Sequence, residues 1–189
     1  MGVTGIILSG GKSSRMGQDK GLILLDGKPM IQHVIDNIDP VCDQVLISAN
    51  DIKYEEFGHP VYEDIVPGIG PVGGIISCLD HSKSKKNIII SCDLPYASTN
   101  FIRRLIDLSG DFEITLPKTG LYFQPLCAVY SKDVSRTFRD CIKQGMYSIK
   151  SIIMEFRIQV IEQDDISEFD LAKELKNINT PEDLENQLT

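Results

Sequence analysis

No apolar run in this chain approaches the roughly 20 residues that a membrane-spanning helix needs, so a membrane embedding is not expected. The start, MGVTGI, carries no basic-then-apolar leader, and Ile6 stands where a myristoylation signal wants Ser or Thr. A cytoplasmic protein is the expectation. Positive charge is in short supply: 19 Lys and Arg face 27 Asp and Glu, a net charge of −8. Without a summed positive field, nucleic acid and anionic lipid are not expected partners, and any anionic ligand must be caught locally. The five cysteines, Cys42, Cys78, Cys92, Cys127 and Cys141, lie far apart, odd in number and without a Cys-x-x-Cys pair. That spacing suggests neither a zinc knuckle nor a disulfide framework and suits small buried thiols in a reducing compartment. His33, His59 and His81 lack metal-ligand spacing, and no Ser-His-Asp or Cys-His layout can be argued. Internal repeats and low-complexity linkers are missing too, so the 189 residues read as one unit, long enough to bury roughly 70% of the surface of the unfolded chain.

What is present is an alternation of short β-branched runs with helical patterns. VTGIIL ends at Gly10 and Gly11 and reads as a buried parallel strand, and DQVLISAN and KNIIISCDLPY repeat the form. GLILLDGKP holds an Asp26-Gly27 turn, and PMIQHVIDNI spaces Met30, Val34 and Ile38 as a helix with Pro29 at its start. A glycine and proline loop leads into the apolar helix of GPVGGIISCLDH, and STNFIRRLIDLSG predicts a helix begun by Ser98 or Thr99 and stopped near Gly110. FEITLP, YFQPLCAVYS and RIQVIE predict strands, KDVSRTFRDCIKQG a helix ending at Gly145, and NTPEDLENQL a closing helix capped by Asn179 or Thr180. The fold class is therefore α/β, a mostly parallel sheet whose second half carries a mixed extension.

Ligands of open α/β sheets settle outside the carboxyl ends of the strands. After the first strand comes SGGKSSRMGQDK, where glycines let backbone N–H groups approach a phosphate and form an anion nest. Arg15 adds a planar fork and Lys20 a compact charge, both suited to phosphoryl oxygens. Two glycines alone also make an ordinary turn with solvated cations. The loop is neither G-x-x-x-x-G-K-[ST] nor G-x-G-x-x-G. After a later strand, SCDLPY places Asp93 at the strand tip, where one carboxylate can hold Mg²⁺ together with substrate phosphates, or can simply cap a turn.

LSGGKSSRMGQDK resembles the L-A-G-G-x-S-x-R-M-G-x-D-K signature of the nucleotidyltransferases of the molybdenum cofactor guanylyltransferase family, with Ser9 in place of the usual alanine. The likeness extends through the C-D-x-P-[YF] of SCDLPY, the G-P-x-x-G that includes Gly70 and Gly74, the Q-P-x-x-A of YFQPLCAVY and the N-x-N-[TS]-P-E of NINTPEDL. It implies a three-layer, Rossmann-like nucleotidyltransferase fold in one domain, with nucleotide binding in about residues 1–100 and acceptor binding in about residues 101–189. It also implies transfer of GMP from GTP to molybdenum-molybdopterin, with Mg²⁺ on Asp93. By the same resemblance Leu8, Ser9, Gly10, Gly11, Lys20, Asp64 and Asp93 would contact GTP, and Arg15, Lys20 and Asp93 would carry catalysis. Gln124, Asn177 and Asn179 would line the molybdopterin side. Some members place a nucleotide-binding asparagine where Ser48 stands, so Ser48 and Asn50 are both candidates. Arginines follow the glycine matching Gly145 in many members, whereas Lys150 is the nearest cation here. Other cofactor-synthesis proteins or recipient apoenzymes are implied partners. The alternatives are a nucleotidyltransferase that uses CTP or a sugar-phosphate acceptor, and a non-catalytic cofactor carrier.

Overall fold

The structure, a computed structural model, describes residues 2–9, 19–179 and 183. The chain begins with strand β1 (Val3–Leu8), then the short strands β2 (Leu24–Leu25) and β3 (Lys28–Pro29), helix α1 (Met30–Ile38), β4 (Gln44–Ser48), β5 (Val61–Tyr62) and α2 (Pro71–His81). It continues with β6 (Lys86–Ser91), α3 (Thr99–Leu108), β7 (Ile114–Thr119), β8 (Tyr122–Phe123), β9 (Cys127–Ser131), α4 (Val134–Lys143), α5 (Ile149–Ile152), β10 (Ile158–Ile161) and α6 (Leu171–Glu174). One eight-stranded sheet runs β10-β7-β9-β6-β1-β4-β5, with β8 paired to β7. The pairs among β6, β1, β4 and β5 are parallel, as is β10 with β7, and only β9 and β8 run against their neighbours. That is the mostly parallel sheet with a mixed second half expected from the pattern of apolar runs.

Both faces of the sheet are covered, which is why the central strands are apolar at nearly every position rather than alternating. Ile7, Ile47, Ile88 and Ile90 face α1 and α3, where Ile31, Val34, Ile38, Phe101 and Leu105 pack on them. On the other side Ile6, Leu46 and Ile89 meet Val72, Ile75 and Ile76 of α2, and Tyr130 meets Phe138 of α4 edge to face at 6.1 Å. Three layers result.

Local chemistry sets the element ends. Asp26 and Gly27 have φ of 52° and 78°, the backbone that a two-residue hairpin demands, and they join Leu25 to Lys28 in register. Ser98 caps α3 by accepting from the Phe101 N–H at 3.3 Å. At Gly145, φ is 78°, and α4 closes with bonds from the Gly145 N–H to the Ile142 carbonyl and from Met146 to Cys141, both 2.9 Å, a Schellman ending. The YFQPLCAVYS run differs from the expected single strand. Pro125 lacks an N–H, and the chain turns there, with Cys127 N–H bonded to the Gln124 carbonyl at 3.1 Å, so β8 and β9 separate. Of the expected closing helix, Asn179 and Asp183 are described: the Asp183 carboxylate accepts from the Asn179 N–H at 2.8 Å, and the rest lies outside the described residues.

Candidate active site

The register of the parallel strands decides what can meet. Leu8 is level with Ser48 on one side and Ser91 on the other, and Ser48 is level with Tyr62. The residues just beyond these positions, Ser9, Asn50, Asp64 and Asp93, therefore emerge along one edge of the sheet. With strands about 4.8 Å apart, the β5 and β6 tips stand about 14 Å from each other. The chain leaves β1 toward β4 and later returns to its other side at β6, a topological switch where a ligand crevice forms.

At the β6 tip, Lys20 Nζ stands 3.5 Å from Asp93 Oδ2 and 2.6 Å from Asn179 Oδ1. Lys20 arrives on a short 3₁₀ turn, Lys20–Leu22, that follows the loop after β1. Asn179 arrives from the far end of the chain, where the Ile178 N–H bonds the Asp93 carbonyl at 3.0 Å. The two charged side chains are 26% and 17% exposed, so the pair is shielded yet reachable from the edge. Beside it opens a cavity of about 340 Å³ whose walls include Asp93, Gln124, Asn177, Asn179, Tyr122 and Lys150. Three residues expected on the acceptor side thus share one cavity with Asp93. Gln124 is oriented by donating its amide to Thr119 Oγ1 at 2.9 Å. Lys150 lies over the Tyr122 ring, 5.9 Å from its centroid, within cation–π range.

Asp64 forms a second cluster at the β4 and β5 tips. Its carboxylate accepts from Ser48 Oγ and from Asn50 Nδ2, each at 3.3 Å, and its N–H donates to Asn50 Oδ1 at 3.0 Å. Ser48 and Asn50 therefore both belong to it. The loop behind Asp64 is pinned by Ser77, whose hydroxyl donates to the Glu63 carbonyl at 2.7 Å and accepts from the Ile65 N–H at 2.8 Å. Gly74 of α2 lets the helix pass close by: a β-carbon there would sit 2.9 Å from Asp64 Oδ1 and nearer still to Ser48 Oγ.

Two features alter the expected picture. The Ser9 N–H donates to the Ser48 carbonyl at 2.8 Å, and the Leu8 carbonyl accepts from the Cys92 N–H at 3.0 Å. The Ser9 amide is thus committed to the backbone of β4 and is not the phosphate donor expected from the loop motif. Gly10, Gly11 and Arg15 lie outside the described residues. Sequence reasoning also passed over Tyr54, whose hydroxyl donates to Asp19 Oδ1, and over Tyr122. Tyr54 sits in no motif and Tyr122 just before the Q-P-x-x-A pattern, and only the fold brings Tyr54 to Asp19 and Tyr122 to the cavity wall. The thiol of Cys92, next to Asp93, is no nucleophile, since burial pushes it up to about 12.

As to a metal, no group of three or more His, Cys, Asp or Glu side chains among the described residues could cage an ion. One carboxylate at a strand tip fits Mg²⁺, a hard cation that keeps waters and takes the rest of its oxygens from substrate phosphates.

Residues 5–159 match the sequence pattern of the MobA-like NTP transferase domain. The chain belongs to that family. It is a nucleotidyltransferase by this membership. Relatives include a protein of Clostridium perfringens named probable molybdenum cofactor guanylyltransferase, 33% identical over 95% of this chain and 93% of that protein. The molybdenum cofactor guanylyltransferase of Shewanella loihica is 31% identical over 95% of this chain and 92% of its own. Among solved structures, molybdopterin-guanine dinucleotide biosynthesis protein A from Archaeoglobus fulgidus superposes with a TM-score of 0.82, covering 97% of this chain and 95% of that one at 24% identity. At that identity the likeness speaks for the fold. Among the described residues no helix is long and apolar enough to cross a membrane.

Proposed function

We propose that this protein transfers GMP from GTP to molybdenum-molybdopterin, forming molybdopterin guanine dinucleotide and releasing pyrophosphate. The observation that carries the reading is the meeting of Lys20, Asp93 and Asn179 at the carboxyl edge of the sheet, beside a cavity that mixes the amides of Gln124 and Asn177 with apolar walls, about three strands from the Asp64 cluster. The guanosine end of GTP lies toward Asp64, Ser48 and Asn50, and its phosphates cross the tips of β1 and β6. Residues up to about 100 thus serve the nucleotide, and the remainder serves the acceptor.

A terminal phosphate oxygen of the acceptor, already ionised near neutral pH, attacks the α-phosphorus in line. A new P–O bond forms as the bond to the β-phosphate oxygen breaks, and pyrophosphate leaves with the electron pair. No general base is needed. The protein aligns two anions and offsets charge during transfer. Lys20 stabilises the triphosphate and the leaving pyrophosphate, and Arg15 and the backbone that follows Leu8 and Ser9, Gly10 and Gly11 included, extend that positive lip. Asn179 and Asp93 hold the Lys20 ammonium in place. Asp93 would hold Mg²⁺, which when bound supplies a Lewis acid and template for phosphoryl oxygens. Gln124 and Asn177 offer amides to the acceptor, and Lys150 on Tyr122 offers the nearby positive charge for its phosphate.

The test is pyrophosphate release on mixing the protein with GTP, Mg²⁺ and molybdenum-molybdopterin. Release that requires all three supports the reading. Release with CTP in place of GTP assigns another nucleotide, and binding without release assigns a carrier.

A further inference from the structure

The turn that carries Lys20 is tied to the core by a contact that no motif announces. Tyr54 lies in the 3₁₀ turn Ile52–Phe57 that follows β4. Its ring is fully buried in the α1 and α3 layer. Its hydroxyl reaches across to donate to Asp19 Oδ1. The same carboxylate oxygen accepts from the Gly21 N–H at 3.2 Å, making Asp19 the cap of the turn Lys20–Leu22. Gly21 is buried against this arrangement, and any side chain there would collide with both the Tyr54 and the Ser9 hydroxyls. The backbone on which Lys20 is mounted is therefore clamped from behind by the core. Its ammonium projects forward to Asn179 and Asp93.

We propose that Tyr54 is a positioning residue for nucleotidyl transfer, acting through Asp19 to fix the turn that aims Lys20 between Asp93 and Asn179. The proposal rests on the role given to Lys20 above. A buried aromatic ring is a rigid post, and its single hydroxyl meets a carboxylate that has no other ring or cation against it among the described bonds. Without the Tyr54 hydroxyl the Asp19 end of the turn loses its side-chain tie to the core, while the far end stays held by the Met30 N–H on the Ile23 carbonyl at 2.9 Å. A displacement of about 1 Å at Lys20 is enough to cost up to about 10²-fold in rate.

The experiment is a double-variant cycle of Tyr54→Phe and Lys20→Ala, read by pyrophosphate release with saturating GTP and acceptor. Tyr54→Phe keeps the ring and removes only the hydroxyl. It is expected to lower kcat roughly 10-fold or more, while in the Lys20→Ala background it brings no further loss. The exposure of the Lys20 ammonium, followed as its rate of acetylation by mass spectrometry, is expected to rise in Tyr54→Phe while other lysines are unchanged. Should Tyr54→Phe melt below the assay temperature, Asp19→Asn replaces it, since asparagine still caps the turn but meets Tyr54 without charge. A wild-type kcat in Tyr54→Phe beside a slow Lys20→Ala overturns this proposal alone, as do losses that multiply in the double variant. Full turnover in Lys20→Ala overturns the role of Lys20 and this proposal with it.

Discussion

Replacing Gly74 by alanine separates a helix glycine from a site glycine. Gly74 lies inside α2, where propensity alone makes alanine about 1 kcal/mol better. The structure opposes that gain. The new methyl would lie 2.9 Å from Asp64 Oδ1 and 3.0 Å from Ser48 Cβ, well inside contact distance. Overpacking of this kind costs about 1–3 kcal/mol. Pushing Asp64 aside also breaks the 3.3 Å bond from Ser48 Oγ, leaving the hydroxyl of Ser48, a residue 3% exposed, without this acceptor, at about 1–3 kcal/mol. The balance is a net loss of about 3 kcal/mol, which for a chain of this size lowers Tm by about 6–12 °C. Scanning calorimetry measures that, and titration calorimetry with Mg²⁺ and GTP should show affinity down at least about tenfold, since 1.4 kcal/mol is one decade. A Gly74→Ala protein that melts higher than wild type and binds GTP equally well would refute the crowding of Asp64 and its part in nucleotide binding.

Asp93→Ala and Lys20→Ala should each lower transfer by about 10² or more with a cooperative melt retained. Full activity of a folded Asp93→Ala protein counts against that carboxylate as the metal ligand. Glu174→Ala should lower Tm by a few degrees, because the Glu174 carboxylate accepts from the Ser98 N–H at 2.6 Å and from Ser98 Oγ at 3.0 Å, a tie between α6 and the α3 cap worth about 1–2 kcal/mol. An unchanged melt would refute it. Burial pushes the thiols of Cys42, Cys78, Cys92 and Cys127 up to about 12. At pH 8 the thiolate fraction is then about 10⁻⁴, so native protein should resist iodoacetamide by intact-mass analysis and take up label when denatured or as pH is raised toward 12. Rapid native labelling of Cys78, Cys92 or Cys127 at pH 8 would contradict their burial.

Much of the fold was legible because its signals are local. VTGIIL and KNIIIS are apolar at almost every position, which only a strand covered on both faces tolerates. Asp26-Gly27, Ser98 and Gly145 mark element ends through backbone geometry or capping that neighbouring residues alone define. The split at Gln124–Leu126 was missed because the apolar residues on both sides of Pro125 suit a strand, and the turn depends on where β7 lies. α5 and α6 are single turns too short to show a helical period. At the site, Lys20 and Asp93 each sit in a recognisable motif, yet they are 73 residues apart and Asn179 is 159 from Lys20. Their meeting follows from strand order and from the return of the chain's end over β6. Tyr54 carries no local signature at all, since its meaning lies in a contact across 35 residues.

The most direct test is a crystal structure of the protein with Mg²⁺ and GTP. The triphosphate is expected against Lys20 and Asp93, with Mg²⁺ on the Asp93 carboxylate and the guanosine end lying toward Asp64, Ser48 and Asn50. Nucleotide density at the opposite edge of the sheet, or phosphates out of reach of both Lys20 and Asp93, would contradict it.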